Sequence, residues 1–218
     1  MPTATELARA VVTALLEARV TDIVIAPGSR NAPLSFAVLD ASRAGLVRLH
    51  TRIDERSAGF FALGLTKVGS RAAVMCTSGT AVANLHPSVL EAAHAGVPLA
   101  VVTADRPARL RETGANQVTD QVGIFGLLVA TRDLADAPDE NDIAALDSAR
   151  GPVHWNIQLD DPLTPPDRWQ PGTIEARPAP PRPELMIHES IPTGPGTPRT
   201  VVVAGDDAGP PSRILAQD

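Results

Sequence analysis

Four polar clusters hold the residues best suited to chemistry: Pro27-Gly28-Ser29-Arg30, Asp54-Glu55-Arg56, Thr77-Ser78-Gly79 with Asn84, and Arg106 with Asn116 and Gln117. A glutamate whose pKa is raised by burial can exchange a proton near neutral pH, and an arginine is the usual partner of a carboxylate or phosphate guest. Glu55 follows Asp54, a good helix N-cap. The helix N-terminus favours its anion by less than about 1 kcal/mol, while burial under a ligand raises a carboxyl pKa by up to about 3–5 units. The competing reading makes Glu55 a first-turn acid complementing the dipole, or a partner for Arg52 or Arg56. Arg30 likewise reads either as an anion's partner or as half of a surface salt bridge.

Each cluster follows a short apolar run, as expected of buried parallel strands: residues 22–26, 46–50, 71–76 and 99–103. The clusters therefore fall on the carboxyl edge of one sheet, where open α/β sheets bind ligands. A capping box, Thr3 with Glu6, starts a first helix that buries Leu7, Val11, Leu15 and Leu16 and ends near Arg19. A second helix follows residues 27–33. A third, over 58–66, has Phe60, Phe61, Leu63 and Leu65 to bury. The small-residue turn at 77–84 opens a helix and offers backbone N–H groups to a ligand; it is no P-loop, lacking the Gly-Lys-Ser/Thr ending. A further strand is expected over 126–131, and Gly151-Pro152 introduces one in which Val153, Trp155, Ile157 and Leu159 alternate with His154, Asn156 and Gln158. This rhythm predicts an α/β fold, a doubly wound parallel sheet covered on both faces. The stretch 136–150 looks too short for a full covering helix.

Composition narrows the class. Of 218 residues 44% are hydrophobic and only 3% aromatic, with no Tyr, so Val, Leu, Ile and Ala must build the core. A net charge of −6 without a basic cluster argues against nucleic acid or an anionic membrane as partner. One cysteine excludes an internal disulfide and a multi-Cys metal site. Cys76 reads as a small buried hydrophobe. His86 and His94 lack metal-ligand spacing, and no metal ligands are assigned. A single cysteine points to a reducing cytoplasmic location; no apolar run spans a bilayer, and the first six residues have no basic n-region and so read as no signal peptide. Eleven of the 21 prolines lie between Pro162 and Pro198. They divide the chain into a domain over 1–163, a Pro-rich linker over 164–198, and the onset of a second α/β domain over 199–218.

The strings APGSRNAPL, RIDERSAGF, TSGTAVANLHP, TADRP, GANQ, and GPVHWN with DPL after it, run in order through residues 1–163. Together they resemble the N-terminal, pyrimidine-binding domain of thiamine-diphosphate enzymes, most specifically the 2-succinyl-5-enolpyruvyl-6-hydroxy-3-cyclohexene-1-carboxylate synthases of menaquinone biosynthesis. The resemblance implies thiamine diphosphate as cofactor. Glu55 then becomes the glutamate that hydrogen-bonds N1′ of the aminopyrimidine, general acid–base work on the cofactor. Pro27, Gly28, Thr77, Ser78, Gly79 and Asn84 would shape the pyrimidine pocket. Ser29, Arg30, Arg106, Asn116 and Gln117 match positions that handle the carboxylates of 2-oxoglutarate and isochorismate. The implied reaction decarboxylates 2-oxoglutarate and adds the succinyl-semialdehyde unit to isochorismate, in a homodimer or dimer of dimers with its site at the subunit interface. Mg2+ or Mn2+ would be held by the family's diphosphate domain; its Gly-Asp-Gly run does not occur in this chain, so the chain alone is expected to be inactive. The alternatives are another thiamine-diphosphate 2-oxo-acid decarboxylase or synthase and, at fold level only, a non-catalytic α/β binding module.

Overall fold

The structure, a computed structural model, describes residues 2–178. Six parallel strands form one sheet in the order β2-β1-β3-β4-β6-β5. They are β1 (Asp22–Ile25), β2 (Arg48–Thr51), β3 (Ala72–Cys76), β4 (Ala100–Asp105), β5 (Ala130–Leu134) and β6 (Val153–Gln158). Helices α1 (Ala4–Glu17), α2 (Ala32–Arg43) and α6 (Glu140–Ser148) bury side chains in one core, built on Ile23, Met75, Val102, Trp155 and Ile157. Helices α3 (Glu55–Lys67), α4 (Thr80–Asn84) and α5 (His86–His94) frame the other, built on Val24, Val74, Cys76 and Val101. Successive strand residues thus feed opposite cores, the period-2 geometry of a sheet covered on both faces. The doubly wound α/β architecture expected from the sequence is present.

Local chemistry explains the boundaries. The Thr3 side chain accepts from Glu6 N while Glu6 returns to Thr3 N, the capping box that starts α1. Asp54 caps α3 by accepting from Ser57 N at 3.1 Å. Edge strand β2 is tied to β1 by the buried Asp22 carboxylate, which receives Arg48 at 2.6 Å and His50 at 2.9 Å.

Three local expectations fail. The strand expected over 126–131 lies instead at Ala130–Leu134, and Leu127 and Leu128 stand exposed in the preceding loop. The stretch 136–150 does hold a helix: α6 has nine residues, starts at an Asp139–Asp142 capping box, and buries Ile143 and Leu146. At about 1.5 Å of rise per residue it is long enough to cover the short strands beside it. Phe60 is half exposed, whereas Phe61, Leu63 and Leu65 do pack on the core.

Residues 164–178 leave the sheet but stay attached to its α1–α2 layer. Trp169 N donates to Asp40 at 2.9 Å, Arg177 N donates to the Glu17 carbonyl at 2.9 Å, and Leu163, Trp169 and Ile174 pack against the core. The remainder of the expected linker and the expected second domain over 199–218 lie outside the described residues.

Candidate active site

The carboxyl ends of β1, β2, β3 and β4 deliver the four clusters to one edge, as parallel strand order requires. After β1 the chain turns through residues 27–30; the buried Asn31 amide donates to the Ala26 carbonyl at 3.0 Å and closes this turn. After β2 come Ile53, Asp54 and Glu55. After β3, Thr77, Ser78 and Gly79 lead into α4. After β4 comes Arg106.

Glu55 is the first residue of α3, and its Oε2 accepts from Asn84 Nδ2 at 3.1 Å. Asn84 ends α4, so a helix start and a helix end meet at this carboxylate. That bond orients one oxygen and leaves the second for a ligand donor. Asp54, not Glu55, pairs with Arg56, at 2.7 Å, while Arg52 donates to the Thr51 carbonyl at 2.8 Å and lies over the Phe61 ring; the salt-bridge reading of Glu55 therefore fails with both arginines. Beneath it, burial pushes the Cys76 thiol far above its ordinary value, with the Glu55 charge adding to the shift. Cys76 is the inert hydrophobe its composition suggests.

Glycines let the backbone come close here. A Cβ on Gly28 would sit 2.5 Å from Thr77 Cβ, so the first and third turns touch. Gly79 has φ 76° and ψ −130°, and a Cβ there would lie 2.6 Å from Gln117 Cγ. Only glycine adopts that backbone without strain. One feature departs from expectation: the Gly79 N–H does not face a ligand but donates to Gln121 Oε1 at 2.9 Å.

Beside this corner lies a cleft of about 320 Å³ lined by Gly28, Ser29, Arg30, Thr77, Ser78, Arg106, Asn116 and Gln117. All five residues expected to handle carboxylates line it, together with three of the seven expected around the pyrimidine, Gly28, Thr77 and Ser78; Glu55 and Asn84 stand at the neighbouring corner. The Arg106 guanidinium is buried, donating to Ser78 Oγ at 2.7 Å and to the Gln117 carbonyl at 3.2 Å. Burial, and then the nearby Arg30 charge, push its pKa below the ordinary arginine value. Arg30 donates to the Leu159 carbonyl at 3.0 Å and reaches a carboxylate only at 3.8 Å, that of the exposed Asp161. Two guanidiniums concentrated in one concave cleft attract an anionic guest. Larger clefts, of about 410 and 360 Å³, flank α1, but their arginines are already engaged, Arg9 by Asp167 and Arg109 by Asp160.

Sequence reasoning missed the layer beneath the cleft. Gln121 Nε2 donates to the Ala104 carbonyl at 3.2 Å and to Asn156 Oδ1 at 2.8 Å. Asn156 Nδ2 donates to Asp105 at 3.0 Å and Asp133 at 2.9 Å, and Arg111 bridges the same two carboxylates. Thr103 donates to Asn156 Oδ1 at 3.0 Å, so it accepts from His154 Nε2 at 2.7 Å. The polar half of β6 was visible in its alternation; that it is buried was not.

The arrangement places a carboxylate fixed through one oxygen at the corner and two guanidiniums in the cleft beside it. Residues 5–124 match the family described as thiamine pyrophosphate enzyme, N-terminal TPP binding domain. The chain belongs to this family. Among curated proteins it is 64% identical over 214 residues to the 2-succinyl-5-enolpyruvyl-6-hydroxy-3-cyclohexene-1-carboxylate synthase of Nocardioides sp., covering 98% of this chain and 38% of that protein. It is 43% identical over 240 residues to the synthase of the same name from Arthrobacter sp., covering 99% of this chain and 38% of that protein. The chain thus spans about two fifths of the length of these relatives.

Proposed function

We propose that the chain forms the pyrimidine-binding part of a thiamine-diphosphate-dependent synthase that decarboxylates 2-oxoglutarate and joins the succinyl-semialdehyde unit to isochorismate, giving 2-succinyl-5-enolpyruvyl-6-hydroxy-3-cyclohexene-1-carboxylate for menaquinone. The observation that carries this is Glu55, at the N-terminus of α3 and held by Asn84, beside a cleft with two arginines. When bound, thiamine diphosphate supplies the nucleophilic carbon and the electron sink of decarboxylation. Glu55 holds or moves the proton at the pyrimidine ring nitrogen through its second oxygen, with Asn84 orienting the carboxylate through Oε2. Gly28, Thr77 and Gly79 bring backbone close to the ring, and Pro27 limits the turn that faces it.

Ser29, Arg30, Arg106, Asn116 and Gln117 bind the carboxylates of the two substrates, which explains why a site of so few residues carries two guanidiniums. The Mg2+ that accompanies the diphosphate would be held by the diphosphate-binding domain that the family resemblance implies. Ile53 and Phe60, which flank Glu55 in sequence, are exposed apolar side chains that support a partner surface near the site and hence a homodimer or dimer of dimers. No described helix is long and apolar enough to cross a membrane. The test is a product assay on the intact protein with thiamine diphosphate and Mg2+. Consumption of 2-oxoglutarate with isochorismate-dependent product is expected; release of CO2 from a different 2-oxo acid, indifferent to isochorismate, would assign another reaction of the superfamily.

A further inference from the structure

Gln121 lies in the long connection between β4 and β5, and its hydrogen bonds go to none of the residues assigned to substrate. It is nonetheless almost fully buried, and its amide makes three hydrogen bonds that only an amide in this orientation can make. Oε1 accepts from Gly79 N, while Nε2 donates to the Ala104 carbonyl and to Asn156 Oδ1. Asn156 cannot turn its own amide to suit another partner, because its Nδ2 serves the carboxylates of Asp105 and Asp133. The orientation of Gln121 is therefore dictated from below, and the Gly79 N–H above it has one available acceptor.

We infer that Gln121 is a positioning residue: it fixes the left-handed Gly79 turn, and through the short helix α4 that begins there it seats Asn84 against Glu55. This rests on the reading of Glu55 given above. Gly79 needs such a brace, since a glycine passes readily between this conformation and others and is held in one only by a fixed partner. With the brace gone, the Thr77–Gly79 backbone and the Asn84 amide lose their register with the ring that Glu55 engages.

The amide chemistry supplies a test that mere packing would not pass. In Gln121→Glu, an ionised carboxylate would face two acceptors, the Ala104 carbonyl and Asn156 Oδ1; only the neutral acid can donate to one of them while still accepting from Gly79. Ionisation is disfavoured in the folded site, so function is present below the raised pKa and lost as pH rises through it. Thiamine diphosphate affinity, measured by calorimetry with Mg2+ on the intact protein, is expected to fall about tenfold or more relative to wild type near pH 8 and to recover to within about threefold near pH 6. Gln121→Met, which keeps the volume without the hydrogen bonds, should be weakened about tenfold at both pH values, with its thermal midpoint within a few degrees of wild type. A Gln121→Glu affinity ratio that does not change with pH overturns the inference. So does Gln121→Met with wild-type affinity, and that variant decides alone where Gln121→Glu fails to fold. Loss of affinity in the wild type itself is the distinct outcome that removes the functional reading beneath it.

Discussion

Asn84 Nδ2 lies 3.1 Å from Glu55 Oε2, joining the last residue of α4 to the first residue of α3. The two residues are far apart in sequence and come from turns after different strands, so the bond tests whether the third turn is seated correctly. Glu55→Gln keeps the shape and the Asp54 cap but removes the charge. In the intact protein it should lower turnover by about a hundred- to ten-thousandfold with the thermal midpoint nearly unchanged. Deuterium exchange at C2 of bound thiamine diphosphate should slow in parallel; exchange at the wild-type rate would remove Glu55 from the proton path.

Arg106 and Arg30 serve the cleft differently. Arg106 is buried and braces Ser78 and Gln117, while Arg30 is held only by a carbonyl and a distant, exposed carboxylate. Arg30→Ala should therefore raise the KM for a carboxylate substrate about ten- to a hundredfold and spare cofactor affinity. Arg106→Ala should do the same and also lower stability, because Ser78 Oγ and the Gln117 carbonyl lose their donor. Arg106→Lys will not rescue it, since one ammonium cannot reproduce the planar fork. Steady-state KM values for each substrate alongside calorimetric cofactor affinity separate these effects. If cofactor affinity falls and KM holds, the cleft belongs to the cofactor's anionic end.

Two glycines give opposite expectations for the same substitution. Gly79→Ala places a methyl group against Gln117 Cγ and strains a φ of 76°, so a loss of about 1–3 kcal/mol is expected. Gly64, exposed within α3, has nothing within 4 Å of its added Cβ. Gly64→Ala should stabilise by roughly 0.5–1 kcal/mol, the helix-propensity difference. Chemical denaturation of both variants decides; equal and opposite-signed results to these would mean that the Gly79 turn is relaxed.

Most of the frame was legible because its signals are local. Apolar runs marked β1, β3 and β4, the Thr3–Glu6 box marked α1, and Asp54 marked α3. Strand β5 was misplaced because Leu127 and Leu128 look like strand residues, whereas the strand that forms, with the sequence ATRDL, is held through Asp133 by Arg111, Asn156 and Gln158. Those partners are remote in sequence, and no local pattern encodes them. The same holds for Gln121, which sits in a stretch with no periodicity. Helix α6 was underrated on length alone although its Asp139–Asp142 box was there to be read. At the candidate site the residue types were legible and their division of labour was not: Asp54 rather than Glu55 takes Arg56, and the Gly79 N–H points inward.

His154 gives the sharpest prediction about stability and pH. Its ring is wholly buried on β6, between Thr103 and Thr131, with Phe125 edge-on at 4.9 Å. Thr103 spends its proton on Asn156, so Nε2 carries the imidazole hydrogen and Nδ1 accepts. Burial pushes the pKa down from 6.5 to about 4, against a smaller opposing pull from Asp133. Because the folded state holds the proton less tightly than the unfolded chain, this contribution is complete above pH 6.5 and is lost as pH falls toward 4. At 1.36 kcal/mol per pKa unit, the full loss is on the order of 3 kcal/mol. Carboxylates such as Asp22 and Asp54, whose pKa values are lowered by arginine partners, contribute their own losses only below the ordinary Asp value of 3.8. Denaturant unfolding of the chain between pH 7 and pH 4 should therefore show a stability slope that His154→Gln abolishes while the acid limb below pH 4 persists. A variant with the wild-type slope between those pH values would show that His154 is protonated in the fold, and that the Thr103–Asn156 network accommodates a charge.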